Sequence, residues 1–283
     1  MLAAAKINLD LRITGRRDDG YHLLDSIVVF ADYGDELTVE TGRGLTLEIS
    51  GPFSEGLDSR SENLIIKAAR LFFNELAINP NVKFKLIKNL PVSSGIGGGS
   101  ADAAAAIRLL MDLYKPEISQ TRMKELALKI GADVPVCLYS QSAQMCGIGE
   151  RIKPITIADD IYILLVNPLK SVSTADVFKA YANSDQDFES EREIADGPVH
   201  IQLMLNILKD STNSLENAAC ALESEIGDIL KALDKTEGAL ISRMSGSGAT
   251  CFSLYRTKEE CTAAAIKIRE INNCWWVRET KII

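Results

Sequence analysis

The feature that most constrains this chain is a glycine-rich loop between a predicted strand and a predicted helix. The loop has the sequence PVSSGIGGGSADA, residues 91–103, and it follows the strand-like alternation of residues 82–86. Its glycines lack Cβ atoms, so the backbone can turn tightly against another group. The first N–H groups of the following helix, about residues 101–114, have no intrahelical partners and lie at the positive end of the helix dipole. This pattern is typical of a phosphate-binding site.

Two better-known phosphate-binding patterns do not match this loop. A Walker A motif requires Lys and then Ser or Thr after its last glycine, but Gly99 is followed by Ser100 and Ala101. A dinucleotide-binding motif that begins at Gly95 requires a glycine where Ser100 stands. These glycines could instead belong to a flexible or bulged linker that binds nothing. That alternative is disfavoured, because a strand directly precedes the loop and an alanine-rich helix directly follows it.

A second loop of small residues lies between two predicted strands near the end of the sequence. It reads MSGSGA and covers residues 244–249. Such a loop is often an ordinary hairpin connection. It also allows backbone amides to approach a phosphate or to close against the first loop. Both interpretations stay open on the sequence alone.

Composition and charge exclude several classes of function. The chain has 283 residues and a formal net charge of −8, so it can bury a large core and is too acidic to wrap nucleic acid non-specifically. Two histidines are too few for a multi-histidine zinc centre. The six cysteines form no CxxC pair, which predicts reduced thiols in a reducing compartment. No apolar run approaches the roughly 18 residues of a membrane span, and we expect a cytoplasmic protein.

Apolar periodicity predicts a β-rich first half with inserted helices, followed by a second α+β part. The predicted strands are residues 6–13, 25–30, 36–40, 45–49, 82–86, 161–166, 239–243, 250–255 and 275–278. The predicted helices are residues 61–77, which begin at a capping Ser61, 101–114, 119–130, 201–209, 214–234 and 258–271. The polar and acidic residues 184–200 predict a surface loop. We expect two domains, residues 1–153 and 154–283.

Three segments together resemble the GHMP kinase superfamily of small-molecule kinases. They are AAAKINL at residues 3–9, the glycine-rich loop, and RMSGSGATCF at residues 243–252. Two further segments, GRRDDGYH at residues 15–22 and GADVP at residues 131–135, are similar to members that act on a cytidine diphosphate sugar alcohol. The resemblance covers essentially the whole chain.

The resemblance implies a two-domain GHMP kinase fold of the α+β class. Its N-terminal domain would be a β-rich α/β nucleotide-binding domain, its C-terminal domain a ferredoxin-like α+β domain, and its active site would lie in the cleft between them. It also implies transfer of the γ-phosphoryl group of ATP to the 2-hydroxyl of a methylerythritol unit. That reaction is a step of the non-mevalonate route to isoprenoid precursors.

The resemblance also implies roles for two charged residues. Asp133 matches the general base that accepts the proton of the attacking hydroxyl. Lys6 matches a cation that stabilises charge at the transferring group. By residue type and position alone, Asp133 is as well explained as a helix cap, and Lys6 as a solvated strand lysine.

Four residues match the family's contacts to the cytidine substrate. Asn8 lies two residues beyond Lys6 on the same face of a strand and matches a polar contact near the reacting hydroxyl. Tyr21 would stack on the cytosine ring, and His22 would hydrogen-bond the edge of the base. Phe178 would form the opposing aromatic wall, although without the family it is equally an ordinary core residue.

The expected ATP-binding residues follow the glycine-rich loop. They are Pro91, Ser94, Gly95, Ile96, Gly97, Gly98, Gly99, Ser100 and Ala101. Asn63 and Lys88 match positions near the adenine pocket, while their residue types alone indicate an ordinary helix start and strand end. Mg²⁺ would arrive with ATP, held mostly by phosphates and water. Because Ala101 stands where the family commonly has serine, no protein ligand for this ion is predicted.

Two other functions stay open on the sequence. One is a GHMP kinase of the mevalonate or homoserine type, which would have no use for the adjacent Tyr21 and His22. The other is a nucleotide-binding sensor that has lost catalysis, which the presence of both Lys6 and Asp133 disfavours. Under each of these functions, we expect the protein to bind small molecules and not nucleic acid or a membrane. We expect it to be a monomer or a homodimer.

Overall fold

The computed structural model describes residues 1–59, 63–184, 187–194 and 196–283, and these fall into two compact units. Unit 1 comprises Met1–Ala5, Tyr33–Val92 and Gly97–Ser140. Unit 2 comprises Lys6–Asp32, Ser93–Ile96 and Gln141–Ile283. The division into domains 1–153 and 154–283 stays a prediction.

Strands dominate the beginning of the chain, and helices are frequent afterwards. The strands are β1 (Leu2–Asn8), β2 (Arg12–Arg16), β3 (His22–Thr41), β4 (Gly44–Ser50), β5 (Asn81–Ile87), β6 (Ala143–Gly147), β7 (Arg151–Pro154), β8 (Thr156–Ile157), β9 (Tyr162–Asn167), β10 (Pro198–Val199), β11 (Ile241–Met244), β12 (Cys251–Tyr255) and β13 (Trp276–Lys281). The helices are α1 (Leu64–Glu75), α2 (Gly98–Tyr114), α3 (Gln120–Ile130), α4 (Val134–Tyr139), α5 (Thr174–Ala182), α6 (Ile201–Lys209), α7 (Glu216–Leu222), α8 (Glu225–Asp234) and α9 (Lys258–Ile271).

Unit 1 combines sheet strands with a group of helices. β5 pairs in parallel with β4 and antiparallel with the second part of β3. α2 packs against α1 and α4, while α3 also contacts both of these helices. The buried face of α2 consists mostly of alanine, and these small side chains let the neighbouring helices approach closely. Burial of these apolar faces is the main source of stability in such a layer.

Unit 2 contains an antiparallel four-stranded sheet in the order β11-β12-β9-β13. α8 and α9 pack on this sheet, and apolar side chains on one of its faces belong to a buried cluster that includes Leu164, Val166 and Tyr255. This arrangement is the expected ferredoxin-like one. The first part of β3 lies elsewhere in the unit, where it pairs antiparallel with β2 and β6.

Several local predictions are confirmed. The two glycine-rich loops lie where expected, one between β5 and α2 and the other between β11 and β12. All six cysteines are free thiols, most of them buried. No helix among residues 1–59, 63–184, 187–194 and 196–283 has the length and hydropathy needed to cross a bilayer.

The predicted strands near the start of the chain are wrong in detail. Residues 6–13 do not form one strand, because β1 ends at Asn8 and β2 begins at Arg12. Between them Asp10 is buried, and its carboxylate accepts a hydrogen bond of 2.9 Å from the N–H of Ile27. A side chain thus takes the place of a strand partner. Conversely, the two strands predicted at 25–30 and 36–40 are parts of the single strand β3.

Three predicted helices have different bounds. α2 begins at Gly98, inside the glycine-rich loop, because Gly97 adopts a left-handed φ of 64° that turns the chain into the helix. Residues 214–234 form α7 and α8 with a break at Glu223, whose backbone is extended. α1 begins at Leu64, with Asn63 as its N-cap; the predicted start at Ser61 lies outside the described residues.

The prediction of a surface loop at residues 184–200 is only partly correct. Within the described residues 187–194, the side chain of Ile194 is buried. Arg192 is also largely buried and forms ion pairs with Asp10 and Asp25. These partners lie far away in the sequence, so the local pattern of polar residues does not reveal them.

Candidate functional site

The first part of the glycine-rich loop packs against the second glycine-rich loop within unit 2. The hydroxyl of Ser245 donates a hydrogen bond of 3.1 Å to the carbonyl oxygen of Gly95. The N–H of Thr250 donates one of 3.0 Å to the carbonyl oxygen of Ser94. The second loop therefore closes against the first, which is one of the two interpretations left open by the sequence.

Gly95 is the position where this contact leaves no room for a side chain. Its φ is +75°, and a Cβ atom there would lie 2.5 Å from the carbonyl oxygen of Ser245 and 2.7 Å from the nitrogen of Gly248. The atoms in the way are backbone atoms, which cannot move aside as a flexible side chain can. The two loops are thus packed backbone against backbone.

β1 places Lys6 and Asn8 beside these loops. The N–H of Lys6 donates to the carbonyl oxygen of Ile96 at 3.0 Å, and the N–H of Asn8 donates to the hydroxyl of Ser245 at 3.0 Å. Both side chains are buried. The Asn8 Nδ2 donates to the Ser26 hydroxyl at 2.7 Å, whereas its Oδ1 is buried without a hydrogen-bond partner. A buried acceptor left unpaired costs free energy, and a hydroxyl group of a ligand is a suitable donor for it.

The second part of the loop forms the start of α2 in unit 1. The first helical hydrogen bond runs from the N–H of Ala101 to the carbonyl oxygen of Gly97 at 2.8 Å. The N–H groups of Gly98, Gly99 and Ser100 precede it and have no partner within the helix. Because the first two of these residues carry no side chain, the positive end of the helix dipole is accessible to an anion.

Lys88 lies behind this helix start, between two buried carboxylates. Its Nζ pairs with Oδ2 of Asp35 and, at 2.7 Å, with Oδ2 of Asp102. Asp35 also accepts hydrogen bonds from the N–H groups of Asn89 and Leu90, at 2.6 and 2.9 Å. Asp102 has no partner for its Oδ1. Asp102 is therefore the carboxylate whose ionised form is stabilised less.

The pKa values in this cluster follow from that difference. Burial alone would lower the pKa of Lys88, but the carboxylates of Asp102 and Asp35 outweigh it and raise the pKa. Burial raises the pKa of Asp102 to about 7, with Lys88 opposing the shift and Asp35 adding to it. A Cβ atom on Gly98 would lie 3.2 Å from the Lys88 Nζ. The cluster thus sits directly beneath the first residue of α2.

The second residue expected near the adenine pocket, Asn63, has a clear local role. Its Oδ1 accepts a hydrogen bond of 2.9 Å from the N–H of Ile65, and its Nδ2 donates one of 3.0 Å to the carbonyl oxygen of Asp58. These contacts make it the N-cap of α1, which is the helix-start role indicated by its residue type. Pro91, at the beginning of the glycine-rich loop, is buried.

Asp133 occupies the N-cap position of α4 in unit 1. Its backbone is helical, with φ −84° and ψ −12°, and its side chain makes no cap hydrogen bond. Capping, the alternative explanation from the sequence, therefore does not account for this carboxylate. The side chain is half-buried, and the helix that it precedes packs against α2.

The residues expected to bind a base come together around His22 in unit 2. The His22 ring stacks on Phe178 with a centroid distance of 5.2 Å and contacts Tyr181 edge-on at 5.8 Å. Burial and, to a lesser degree, the charge of Arg16 lower the pKa of His22. A neutral imidazole both donates and accepts hydrogen bonds. Tyr21 is 62% exposed, so its ring is available to a ligand.

Some residues at these positions are not predicted by the sequence motifs. Tyr181 follows Phe178 by three residues on α5, and helical spacing is a signal that would have identified it. Asp102 lies inside the glycine-rich loop segment, but its pairing with Lys88 has no sequence signal. Ser245 lies in the second glycine-rich loop that the sequence indicates, but its hydrogen bond to Gly95 has no sequence signal.

Metal-binding side chains are not clustered in the described parts of the chain. Among residues 1–59, 63–184, 187–194 and 196–283, no group of three or more His, Cys, Asp or Glu residues is placed to hold a metal ion.

Comparison with known proteins identifies two family models in the sequence. The model for the GHMP kinases N terminal domain matches residues 63–141, and the model for GHMP kinases C terminal matches residues 200–271. Curated relatives match nearly the full length. The 4-diphosphocytidyl-2-C-methyl-D-erythritol kinase of Rhodospirillum rubrum is 40% identical, with 99% of this chain and 91% of that protein covered. The enzyme of the same name from Paracoccus denitrificans is 46% identical, with 97% and 93% covered.

A solved structure agrees with these relatives. The crystal structure of a 4-(cytidine 5'-diphospho)-2C-methyl-D-erythritol kinase matches with a TM-score of 0.81 and 30% sequence identity. The match covers 100% of this chain and 98% of that one. The likeness therefore extends over both units.

A first prediction concerns the packing of the two loops. Gly95→Ala should lower the free energy of unfolding by at least about 1–2 kcal/mol, because an L-residue is strained at this φ and its Cβ would overlap backbone atoms. Urea denaturation measures the change. Gly99→Ala is the matched control, since its Cβ would meet only a side-chain atom of Leu64 at 3.4 Å. Equal stabilities of the two variants would contradict the packing.

A second prediction concerns the pH dependence of stability. The pKa of Asp102 rises on folding from 3.8 to about 7, so the folded state binds the proton more tightly than the unfolded state. This stabilisation is fully present below the lower value and is lost as the pH rises through the higher one. Asp102→Asn resembles the protonated side chain. Its stability relative to the wild type should therefore increase as the pH rises across this range.

Urea unfolding of both proteins at several pH values tests this expectation. Asp112→Asn is a suitable control, because Asp112 lies on the same helix and is exposed. A difference between Asp102→Asn and the wild type that does not change with pH would show that folding does not raise the pKa of this carboxyl group.

Proposed function

Because the chain belongs to the family of 4-diphosphocytidyl-2-C-methyl-D-erythritol kinases within the GHMP kinases, we propose that it phosphorylates the 2-hydroxyl of 4-diphosphocytidyl-2-C-methyl-D-erythritol. ATP is the phosphoryl donor, and the products are the 2-phosphate and ADP. This is a step of the non-mevalonate pathway to isoprenoid precursors. Among the geometric features, the one that carries the proposal is the start of α2, where Gly98 and Gly99 have no side chain and the helix dipole favours an anion.

ATP would place its phosphates on residues 95–100. The N–H groups of Gly98, Gly99 and Ser100 have no partner within α2, and the dipole of the helix favours negative charge at its start. The ion cluster beneath Gly98 supports this turn from behind. Adenine contacts by Asn63 and Lys88 stay predictions, since the contacts described for them are a helix cap and buried ion pairs.

Asp133 would be the general base and Lys6 the charge-stabilising cation. The oxygen of the substrate hydroxyl attacks the γ-phosphorus of ATP, a new P–O bond forms, and the bond to the β–γ bridging oxygen breaks. The hydroxyl proton passes to the carboxylate of Asp133, and ADP leaves with the electron pair of the broken bond. Phosphoryl transfer depends mainly on positioning and charge stabilisation, which is the role proposed for the Lys6 ammonium.

The cytosine ring would be held by the aromatic group around His22. The exposed ring of Tyr21 is proposed to stack on the base, His22 to hydrogen-bond its edge, and Phe178 to form the opposite wall. Asn8 would accept a hydrogen bond from a substrate hydroxyl through its unpaired Oδ1. The substrate of a mevalonate or homoserine kinase contains no nucleobase that could occupy this aromatic group. A kinase of that type is therefore the weaker alternative.

Further properties complete the proposal. Mg²⁺ would enter with ATP and be held mostly by phosphates and water. The enzyme would be cytoplasmic, a monomer or homodimer, with small molecules rather than nucleic acid or membranes as its partners.

The assignment of Asp133 leads to a kinetic prediction. Asp133→Ala should lose about 10²–10⁴ in kcat while its circular dichroism and thermal unfolding stay close to those of the wild type, because the side chain caps no helix. ADP release in the presence of both substrates is the measurement. Asp112→Asn, on a neighbouring helix, should keep normal turnover. Near-normal turnover of Asp133→Ala would reject the assignment, and absence of turnover in the wild type would favour a nucleotide-binding sensor.

The assignment of Tyr21 leads to a prediction about substrate affinity. Tyr21→Ala should raise the KM for the cytidine substrate by roughly one to two orders of magnitude, since stacking on a base contributes about 1–3 kcal/mol. The KM for ATP should be unchanged. Tyr139→Ala removes another exposed tyrosine and serves as the control. An unchanged KM for the cytidine substrate would reject the stacking role.

A further inference from the structure

Residues 187–194, which we name the strap, carry acidic side chains but are fixed to unit 2. The N–H of Glu189 donates a hydrogen bond of 2.9 Å to the carbonyl oxygen of Ile13. Its carboxylate accepts hydrogen bonds from the Nε of Arg12 at 2.7 Å and from the hydroxyl of Ser214 at 2.8 Å. The first half of the strap is therefore attached to β2.

The second half of the strap is attached through Arg192, whose side chain is only 10% exposed. Its Nε donates to Oδ2 of Asp25 at 3.0 Å, its Nη2 donates to the carbonyl oxygen of the same residue at 3.2 Å, and its Nη1 donates to Oδ2 of Asp10. Both aspartates are fully buried. Gln144 donates from Nε2 to Oδ1 of Asp25 at 3.0 Å and to the carbonyl oxygen of Arg192 at 2.9 Å. One cation is thus shared by two buried carboxylates.

The two attachment points face the same position of a β-hairpin. In the pairing of β2 with β3, Arg12 lies opposite Asp25, and Arg16 lies opposite His22. Glu189 binds Arg12, and Arg192 binds Asp25. The strap therefore holds both strands of the hairpin at one cross-strand pair, and the free end of that hairpin carries His22.

Asp10 connects the strap to Asn8 by a chain of hydrogen bonds. The Ser26 hydroxyl donates to the carbonyl oxygen of Asp10 at 2.6 Å, and the Nδ2 of Asn8 donates to that hydroxyl at 2.7 Å. A hydroxyl has a single proton, so the Ser26 oxygen must accept from Asn8. This fixes the amide of Asn8 with its nitrogen toward Ser26 and leaves its Oδ1 as the acceptor without a partner.

We propose that Arg192 is a positioning residue for the cytidine-containing substrate. It acts through Asp10 on the amide of Asn8, and through Asp25 on the hairpin that ends at His22. The inference rests on the proposed function, in which both of those residues contact the sugar alcohol or its base. The hydrogen bonds described for Arg192, Asp10 and Asp25 do not involve residues 95–100, the proposed seat of the ATP phosphates. Loss of Arg192 is therefore expected to weaken recognition of one substrate and not of the other.

Steady-state kinetics with the full-length enzyme test this proposal. Arg192→Lys keeps one positive charge but loses the planar fork that reaches both carboxylates. It should raise the KM for the cytidine substrate by about ten- to a hundredfold, the effect of a small misplacement of contact groups, and leave the KM for ATP unchanged. Arg151→Met is the matched control, because it removes an exposed ion pair with Glu191 of the same strap; it should change neither constant.

A second variant covers the case in which Arg192→Lys does not fold. Glu189→Gln removes a charge from the other attachment point, which is more exposed, and leaves the buried carboxylates compensated. It should also raise the KM for the cytidine substrate alone, by a smaller factor. A folded variant at either position with an unchanged KM for the cytidine substrate, or with an equal rise in both KM values, would overturn the proposal.

The failure of this inference is distinguishable from failure of the proposed function. A wild-type protein that forms no ADP from ATP and the cytidine substrate contradicts the proposed function and this inference with it. Normal wild-type turnover, together with variants that affect stability but not the ratio of the two KM values, contradicts only the positioning role of Arg192.

Discussion

Backbone-to-backbone packing at Gly95 is the constraint on which the candidate site depends. Because no side chain fits between Gly95 and the carbonyl oxygen of Ser245, the two glycine-rich loops approach until main-chain and hydroxyl groups of one bond those of the other. The same contact holds the end of β1, since Asn8 also bonds Ser245. The positions of the glycine-rich loop, the end of β1 and the start of α2 thus depend on backbone that carries no side chains. The same property allows a phosphate to approach the N-terminus of a helix.

Two clusters of buried charge have a common plan. In unit 1 the ammonium of Lys88 lies between Asp35 and Asp102, and in unit 2 the guanidinium of Arg192 lies between two aspartates. Such groups are costly to desolvate, and removing the cation leaves two carboxylates uncompensated, a loss of about 3–5 kcal/mol or more. These clusters fix the geometry of the fold, because a shared cation and its hydrogen bonds permit only one arrangement of the segments that they join.

Local patterns in the sequence predict much of this molecule, and the failures have a physical cause. The glycine-rich loop between β5 and α2 and the antiparallel sheet of unit 2 depend on patterns of neighbouring residues, so short segments reveal them. Arg192 is different, because its partner Asp25 lies 167 positions away and nothing in an acidic segment marks one arginine as buried. The break of the first predicted strand has the same origin, since Asp10 acts as an acceptor for a distant N–H.

The contact between His22 and Phe178 has a consequence for how a base enters. Their ring centroids are 5.2 Å apart and the rings are stacked, so the imidazole covers a face of Phe178, the residue proposed as one wall for the base. In the proposed binding mode, a cytosine that stacks on Phe178 would have to displace the imidazole from this face, and association would include a local rearrangement. Selectivity for pyrimidines over larger heterocycles would then reflect how far this aromatic pair can be opened.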